Sequence, residues 1–362
     1  MTNRYYSLDV FRGLTIAGMI LVNTSGHGDF TYAPLRHAAW HGFTPTDWVF
    51  PSFLFIVGVA MRFSFKAYGY QLTPVLRTKI LRRTAIIFAL GWVIFLPIFW
   101  EDGRFRVLGV LQRIALSYAA AAFLVLKVDW KYHGWLVAGL LVGYWILLAT
   151  FGDYDLTTNA VRKLDLWLFG PDQLYHGDGV PFDPEGLLST LPAIATVLLG
   201  YRTGIALQET DDRNKLIVGL VGAGVVLCLA ALAWNVVFPI NKKLWTSSFV
   251  LLTAGLDLLL LPVLIWAIDV KGYRGWTAFF VVFGLNSIVA YAVSELLAML
   301  LYAIPMREEN GYPQDLHSWV YWHVFQPVFG NYAGALAWAV AFVGICWLAC
   351  YALYRKKLFL KV

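Results

Sequence analysis

The sequence predicts an all-α fold, a polytopic helical bundle integral to a membrane, and three observations predict it. Hydrophobic residues fill 59% of the 362 positions and charged ones only 14%, where a soluble domain carries about 25% charged residues. The apolar residues come in runs of about the twenty needed to cross a bilayer. Lysines and arginines gather in alternate connecting segments, as expected where one side of a membrane retains positive charge.

Taken in order, span-length windows fall near residues 7–25, 46–66, 80–99, 106–126, 134–152, 187–207, 215–238, 246–268, 276–304 and 333–354. That gives about 10 transmembrane helices. Residues 318–330 (SWVYWHVFQPVFG) are too short to span comfortably; they read as an interfacial or re-entrant segment, or as an eleventh span if joined differently. The first run resembles a signal-peptide core, but Asp9 and Arg12 precede it and no small-x-small cleavage site follows, so a retained first helix is expected. Placing the N-terminus in the cytoplasm puts Arg62, Lys66, Arg77, Lys79, Arg82, Arg83, Lys127, Lys131 and Arg355–Lys357 on the inner side. Both termini are then cytoplasmic. No long linker, low-complexity tract or repeat interrupts residues 1–362, and a single membrane domain is the expected organisation.

Cys228, Cys346 and Cys350 all fall in apolar runs, with no disulfide or metal-ligand spacing among them; no metal is expected. The net charge of +6 is distributed as membrane flanks, which implies lipid contact and no nucleic-acid partner. Sixteen tryptophans and nineteen tyrosines fit an interfacial belt and equally a pocket that stacks sugars or an adenine. Two outer segments are acidic: residues 153–186, with six aspartates and Glu185 against Arg162 and Lys163, and residues 305–318, with Glu308, Glu309 and Asp315 against Arg307. Such a face suits a cationic acceptor such as an amine; depletion of Lys and Arg from any outer loop explains it as well.

Polar groups inside spans are costly and are functional hypotheses by default. Asp9 and Arg12 are three apart and share a helix face near the cytoplasmic end. They neutralise each other or receive an anionic ligand. Arg113, beside Gln112, needs an acidic partner or a phosphate. Asp47 opens the second span, with Thr44 or Thr46 available as cap; an acid in a first turn is favoured by the helix dipole alone. Its other use is to orient His37. Asn286 and Ser287 add a polar face to a late span, as helix glue or as a binding surface. From spacing alone His37 competes on equal terms with His27, His41, His133, His176, His317 and His323.

The motifs narrow this choice. Ser7-Leu8-Asp9-Val10-Phe11-Arg12-Gly13, Val22-Asn23, Arg36-His37-Ala38-Ala39-Trp40-His41-Gly42-Phe43-Thr44 and Asp47-Trp48-Val49-Phe50-Pro51-Ser52 are followed in order by Gly109-Val110-Leu111-Gln112-Arg113, Asp183-Pro184-Glu185-Gly186, Asn241-Lys242-Lys243-Leu244-Trp245-Thr246 and Gly284-Leu285-Asn286-Ser287. This ordered set resembles the heparan-α-glucosaminide N-acetyltransferase family. The chain is similar to its compact bacterial-type form, without the lumenal domain that precedes the first helix in animal members.

The resemblance implies an acetyl-CoA-dependent amino-sugar N-acetyltransferase. It carries the family's active-site histidine onto His37, its asparagine onto Asn23 and its helix-two acid onto Asp47. Arg12, Arg113, Asn286 and Ser287 are the expected contacts of acetyl-CoA, which enters from the cytoplasm. His37 then faces the outside, which for a bacterial inner membrane is the periplasm, and glucosamine or a glucosamine-ended saccharide is the expected acceptor. A sulfated polymer suits the acidic outer loops poorly. His37 serves as general base toward the amine, with Asp47 orienting it and Asn23 donating to the thioester carbonyl, or as a nucleophile forming acetyl-imidazole. A homodimer is open. Two rivals stand beside this expectation: a secondary transporter using Asp9, Arg12, Asp257 and Glu295, and a membrane O-acyltransferase.

Overall fold

Each apolar window closes into helix because only a helix satisfies all its backbone polar groups within one segment. The computed structural model describes residues 5–102, 105–309 and 312–359. In chain order the helices are α1 (Tyr6–Asn23), α2 (Pro45–Phe65), α3 (Pro74–Asp102), α4 (Val110–Lys127), α5 (His133–Phe151), α6 (Ala160–Phe169) and α7 (Thr190–Glu209). They continue as α8 (Arg213–Trp234), α9 (Ser247–Leu264), α10 (Ala278–Leu285), α11 (Ser287–Ala303), α12 (Leu316–Val320), α13 (Gln326–Phe329) and α14 (Asn331–Arg355). A two-stranded antiparallel hairpin, β1 (Pro305–Glu309) with β2 (Tyr312–Asp315), separates α11 from α12. The side chains of Glu308 and Glu309, part of the expected acidic outer face, lie outside the described residues.

Among the described residues seven helices are long and apolar enough to cross a membrane, or up to eight if the bent pair α10 and α11 is one span. They are α2, α4, α5, α7, α8, α9 and α14. Helices also form at the other predicted windows, α1 and α3, outside that set. The window 276–304, expected as one helix, is broken: α10 and α11 meet at 87°. Asn286 stands at the break with φ −125° and ψ 42°. Asparagine competes for nearby backbone groups and so tolerates non-helical conformations, which an apolar-run criterion does not register. Residues 316–329 form short helical pieces, with a π-turn over Tyr321–Phe325 between α12 and α13, and not one span-length helix.

The chain divides into two compact units. The first comprises residues 1–37, 44–50 and 267–361; the second holds residues 38–43 and 51–266. In the first unit α1 starts against the carboxylate of Asp269, which accepts the N–H groups of Tyr6 (3.0 Å) and Ser7 (3.3 Å). An anion there satisfies donors that the first turn leaves unpaired. α1 and α10 touch backbone to backbone: a Cβ on Gly13 would come within 1.8 Å of the Phe280 carbonyl oxygen, and one on Gly284 within 2.1 Å of the Asp9 carbonyl oxygen. Small residues of this kind let membrane helices approach closely.

The second unit uses the same device where α2 meets α7. A Cβ on Gly58 would lie 1.9 Å from the Val197 carbonyl oxygen, and one on Gly200 1.9 Å from that of Phe55. Beside it, Tyr144, Leu148, Val161, Phe182, Phe238 and Leu244 make a buried core beneath the loops at one end of α5. The acidic segment 153–186 is folded into this end. Arg106 grips Asp183 with two hydrogen bonds (2.8 and 2.7 Å) and reaches Glu185 at 2.6 Å, while Lys243 pairs with Asp178 at 2.5 Å. Asp178, Asp183 and Glu185 of this segment are therefore paired with the unit's own cations.

Candidate active site

The local sequence Thr44-Pro45-Thr46-Asp47 builds a helix start capped by its own aspartate. Thr44 stands at the N-cap and Pro45 at the first helical position, where its missing N–H costs nothing. Asp47, at the third position, reaches back so that Oδ2 accepts the Thr44 N–H (3.0 Å) and its hydroxyl (3.1 Å). This is one half of a capping box, with aspartate as the acid reaching back to the N-cap; the Asp47 N–H itself donates to the Thr44 carbonyl at 3.0 Å. Thr44, and not Thr46, is the cap; the Thr46 hydroxyl instead donates to the Pro34 carbonyl at 3.1 Å.

That cap leaves the other carboxylate oxygen for His37. Asp47 Oδ1 lies 2.7 Å from His37 Nδ1, with Asp47 1% exposed and the histidine side chain 43% exposed. A carboxylate only accepts, so the proton on this bond belongs to Nδ1, and Nε2 is the basic nitrogen of the neutral ring. The loop before His37 is tied down along its length. Thr31 donates to Ser25 Oγ (2.6 Å), Arg36 Nε donates to the Thr31 carbonyl (2.6 Å) and the Thr44 hydroxyl to the Arg36 carbonyl (2.7 Å). Gly26 N–H joins the loop to α14 through the Ala335 carbonyl at 3.2 Å.

The remaining residues expected at the site are placed as follows. Asn23 ends α1 and is exposed; it belongs to the same unit as His37 and Asp47. Arg12, half-buried, directs Nη1 at the Gly284 carbonyl (3.4 Å), two residues before Asn286 and three before Ser287. The chain thus brings Arg12, Asn286 and Ser287 together around the break between α10 and α11. Arg113 lies in the second unit. Its guanidinium is 1% exposed, donates through Nη2 to Ser189 Oγ and to the Gly186 carbonyl, and sits 4.9 Å from the Trp245 ring centre. Among the described residues Nε and Nη1 find no protein partner. Two buried donors without acceptors suit a ligand that brings oxygen atoms, whether phosphate or carbonyl.

Two groups were not singled out from sequence. One is Arg106, whose grip on Asp183 and Glu185 was signalled only by an arginine and the Asp183-Pro184-Glu185 motif in separate loops. The two carboxylates outweigh the cost of burial and hold Arg106 above the usual arginine range. The other is Asp165, fully buried, whose Oδ1 accepts the Leu187 N–H at 3.1 Å. Burial pushes its carboxyl up to about 7. In the second unit the segment after His37 is held by Gly42 N–H to the Ile240 carbonyl (2.8 Å), by the Trp40 indole to the Tyr154 carbonyl (2.8 Å) and by Asn241 beside His41 Nδ1 (3.3 Å).

Fold and site together define an integral membrane protein of the all-α class with a carboxylate-oriented histidine in the loop after its first helix. Within that class the chain belongs to the family described as heparan-alpha-glucosaminide N-acetyltransferase, catalytic, which matches residues 4–233. It is similar to the heparan-alpha-glucosaminide N-acetyltransferase of Homo sapiens at 27% identity, over 99% of this chain and 60% of that protein. The Mus musculus protein of the same name is 28% identical over 99% of this chain and 61% of its own length. The chain therefore spans about 60% of the length of the curated relatives it matches. His37, Asp47, Asn23, Arg12 and Arg113 lie inside the matched region, and Asn286 and Ser287 lie beyond it.

Proposed function

We propose that this chain is a membrane acetyltransferase that moves an acetyl group from cytoplasmic acetyl-CoA to the amine of an amino sugar, glucosamine or a glucosamine-ended saccharide, on the outer side. The observation that carries it is the 2.7 Å bond between His37 Nδ1 and Asp47 Oδ1 within a family named for this reaction. Acetyl-CoA supplies the thioester carbonyl. The amine nitrogen forms a bond to that carbonyl carbon as the carbon–sulfur bond breaks, and CoA leaves as the thiol.

The chain's residues carry the proton and the charge. His37 takes the proton of the attacking amine on Nε2 and returns it to the departing sulfur. Asp47 fixes the tautomer and stabilises the imidazolium that forms. Asn23 donates to the carbonyl oxygen as it gains negative charge. Arg12, Asn286 and Ser287, in the first unit, hold the CoA at its cytoplasmic end. Arg113, in the second unit, offers buried donors that suit the oxygen atoms of a ligand. The positive-inside pattern supports ten spans, both termini in the cytoplasm of a bacterial inner membrane, and His37 toward the periplasm.

One observation favours a second reading, a secondary transporter: α10 and α11 form a broken helix, a feature of many transporter binding sites. Thiol release from acetyl-CoA by purified protein in nanodiscs separates the two. Glucosamine-dependent release that His37→Ala abolishes is the expected outcome. Release driven by a sugar hydroxyl acceptor and not by an amine would make the protein an O-acyltransferase, and no release with any acceptor would favour transport.

A further inference from the structure

Beside the His37 loop the first unit assembles a cluster of rings that the proposed chemistry does not use. His27 lies 5.0 Å from Phe30 and 5.4 Å from Trp322, centre to centre. Phe30 stands edge-on to Trp322 at 6.1 Å and to Tyr332 at 5.8 Å, and Tyr332 meets Tyr32 at 5.5 Å. Tyr32 and Tyr332 keep 41% and 48% of their surface exposed, so ring faces remain outside the core.

A carboxylate stands at the edge of this cluster, beside His27. The Asp29 side chain is 89% exposed with Oδ2 4.0 Å from His27 Nδ1, and the Asp29 N–H donates to that same nitrogen at 3.3 Å. Arg36 does not neutralise it: the guanidinium goes to the backbone carbonyls of Thr31 and Asp29. Because Arg36 directly precedes His37, the tie that shapes the cluster also sets its distance from the histidine. Asp178, Asp183 and Glu185, by contrast, are already paired with Lys243 and Arg106. An interfacial belt accounts for exposed tyrosine and tryptophan, but not for the exposed carboxylate beside His27 at the edge of the cluster.

We propose that Phe30, Tyr32, Trp322 and Tyr332, with the Asp29 carboxylate, form the acceptor subsite and recognise an amino sugar by its cationic amine. Ring faces carry negative potential that attracts ammonium groups. The sugar's C–H face adds apolar contact, and Asp29 contributes a charge-assisted hydrogen bond to the ammonium. A neutral hexose offers the stacking face without the charge and binds more weakly. The subsite rests on the acetyl-transfer reading above for its place in a reaction, but its binding is measurable without turnover.

The test compares wild type, Asp29→Asn, Trp322→Ala and Trp322→Phe in nanodiscs. Expected is a rise of about tenfold or more in KM for glucosamine in the first two variants. KM for acetyl-CoA and kcat at saturating glucosamine stay near wild type, and Trp322→Phe recovers most of the loss. Saturation-transfer NMR with glucosamine and glucose reads binding directly, and Asp29→Asn, altering an exposed side chain, covers the case in which Trp322→Ala fails to fold. A glucosamine KM and binding signal within about twofold of wild type in both variants overturns the subsite and leaves the acetyl-transfer reading standing. Wild type that binds glucosamine through these residues yet releases no thiol does the reverse. Wild type that does neither overturns both.

Discussion

Asp47 divides its two oxygens between a helix cap and His37: Oδ2 accepts the Thr44 backbone and hydroxyl at 3.0 and 3.1 Å, and Oδ1 faces His37 Nδ1 at 2.7 Å. The cap fixes the carboxylate and the carboxylate fixes the imidazole. Precision at His37 thus derives from an ordinary helix N-terminus. Asp47→Asn keeps the size of the side chain but removes the charge that stabilises the imidazolium. The acetyl-transfer rate is expected to fall about 10²–10⁴-fold with little change in KM. Thr44→Ala, which leaves the His37 bond in place, is expected to cost about 1 kcal/mol of stability and a smaller part of the rate. Steady-state thiol release on the two variants checks the order; equal rates in Asp47→Asn and wild type would remove Asp47 from the mechanism.

Arg106 and Asp183 make a second paired device, here for stability. Asp183 is 0% exposed, so Arg106→Ala leaves a buried carboxylate without its cation. That change is expected to destabilise the second unit by about 3–5 kcal/mol. Arg106→Lys recovers only part, because a single ammonium cannot reproduce the paired geometry. Thermal unfolding in detergent checks this, and a melting point unchanged in Arg106→Ala would show that the pair carries no net stability.

Burial raises the Asp165 carboxyl from 3.8 to about 7. The unfolded chain loses this proton first, so the side chain's contribution to stability is whole below about pH 4, declines as pH rises and is gone above about pH 7. Asp165→Asn cannot lose a proton. Its melting temperature should match wild type near pH 4 and exceed it near pH 8. A difference that does not vary with pH would show that Asp165 does not titrate in this window.

The glycine contacts predict which helices tolerate a methyl group. Gly13→Ala and Gly58→Ala place a Cβ within 1.8 and 1.9 Å of facing carbonyl oxygens. The helices must separate, at an expected cost of about 1–3 kcal/mol or more. Gly139→Ala, with nothing within 4 Å of its Cβ, is expected to stay within about 0.5 kcal/mol of wild type. Yield of folded protein and melting temperature distinguish the three.

Under the proposed acetyl-transfer reading, whether His37 accepts only a proton or also the acetyl group is a kinetic question. A general base requires amine and thioester together, and initial-velocity lines for the two substrates intersect. A nucleophilic His37 gives parallel lines and a labelled acetyl-enzyme without acceptor. In the proposed reading Nε2 is the nitrogen that acts in either role, and intersecting lines are the expected result.

Helical class, family and the short motif around His37 were legible in the sequence, because they depend on local composition and spacing. Apolar runs become helices wherever backbone groups must be satisfied away from water, and Thr44-Pro45-Thr46-Asp47 is a start signal readable in four residues. The break at Asn286 was not legible, since an apolar run of residues looks the same straight or bent. Nor was the burial of Asp165 and Asp183, or the pairing of the acidic segment 153–186 with Arg106 and Lys243, because charge pairing depends on which loops meet. The ring cluster draws Phe30 and Tyr32 from the loop after α1, and Trp322 and Tyr332 from the segments around α13. Sequence periodicity reports a residue's own helix face, whereas contacts between distant segments arise only from packing, and those contacts decide which charges and rings a ligand can reach.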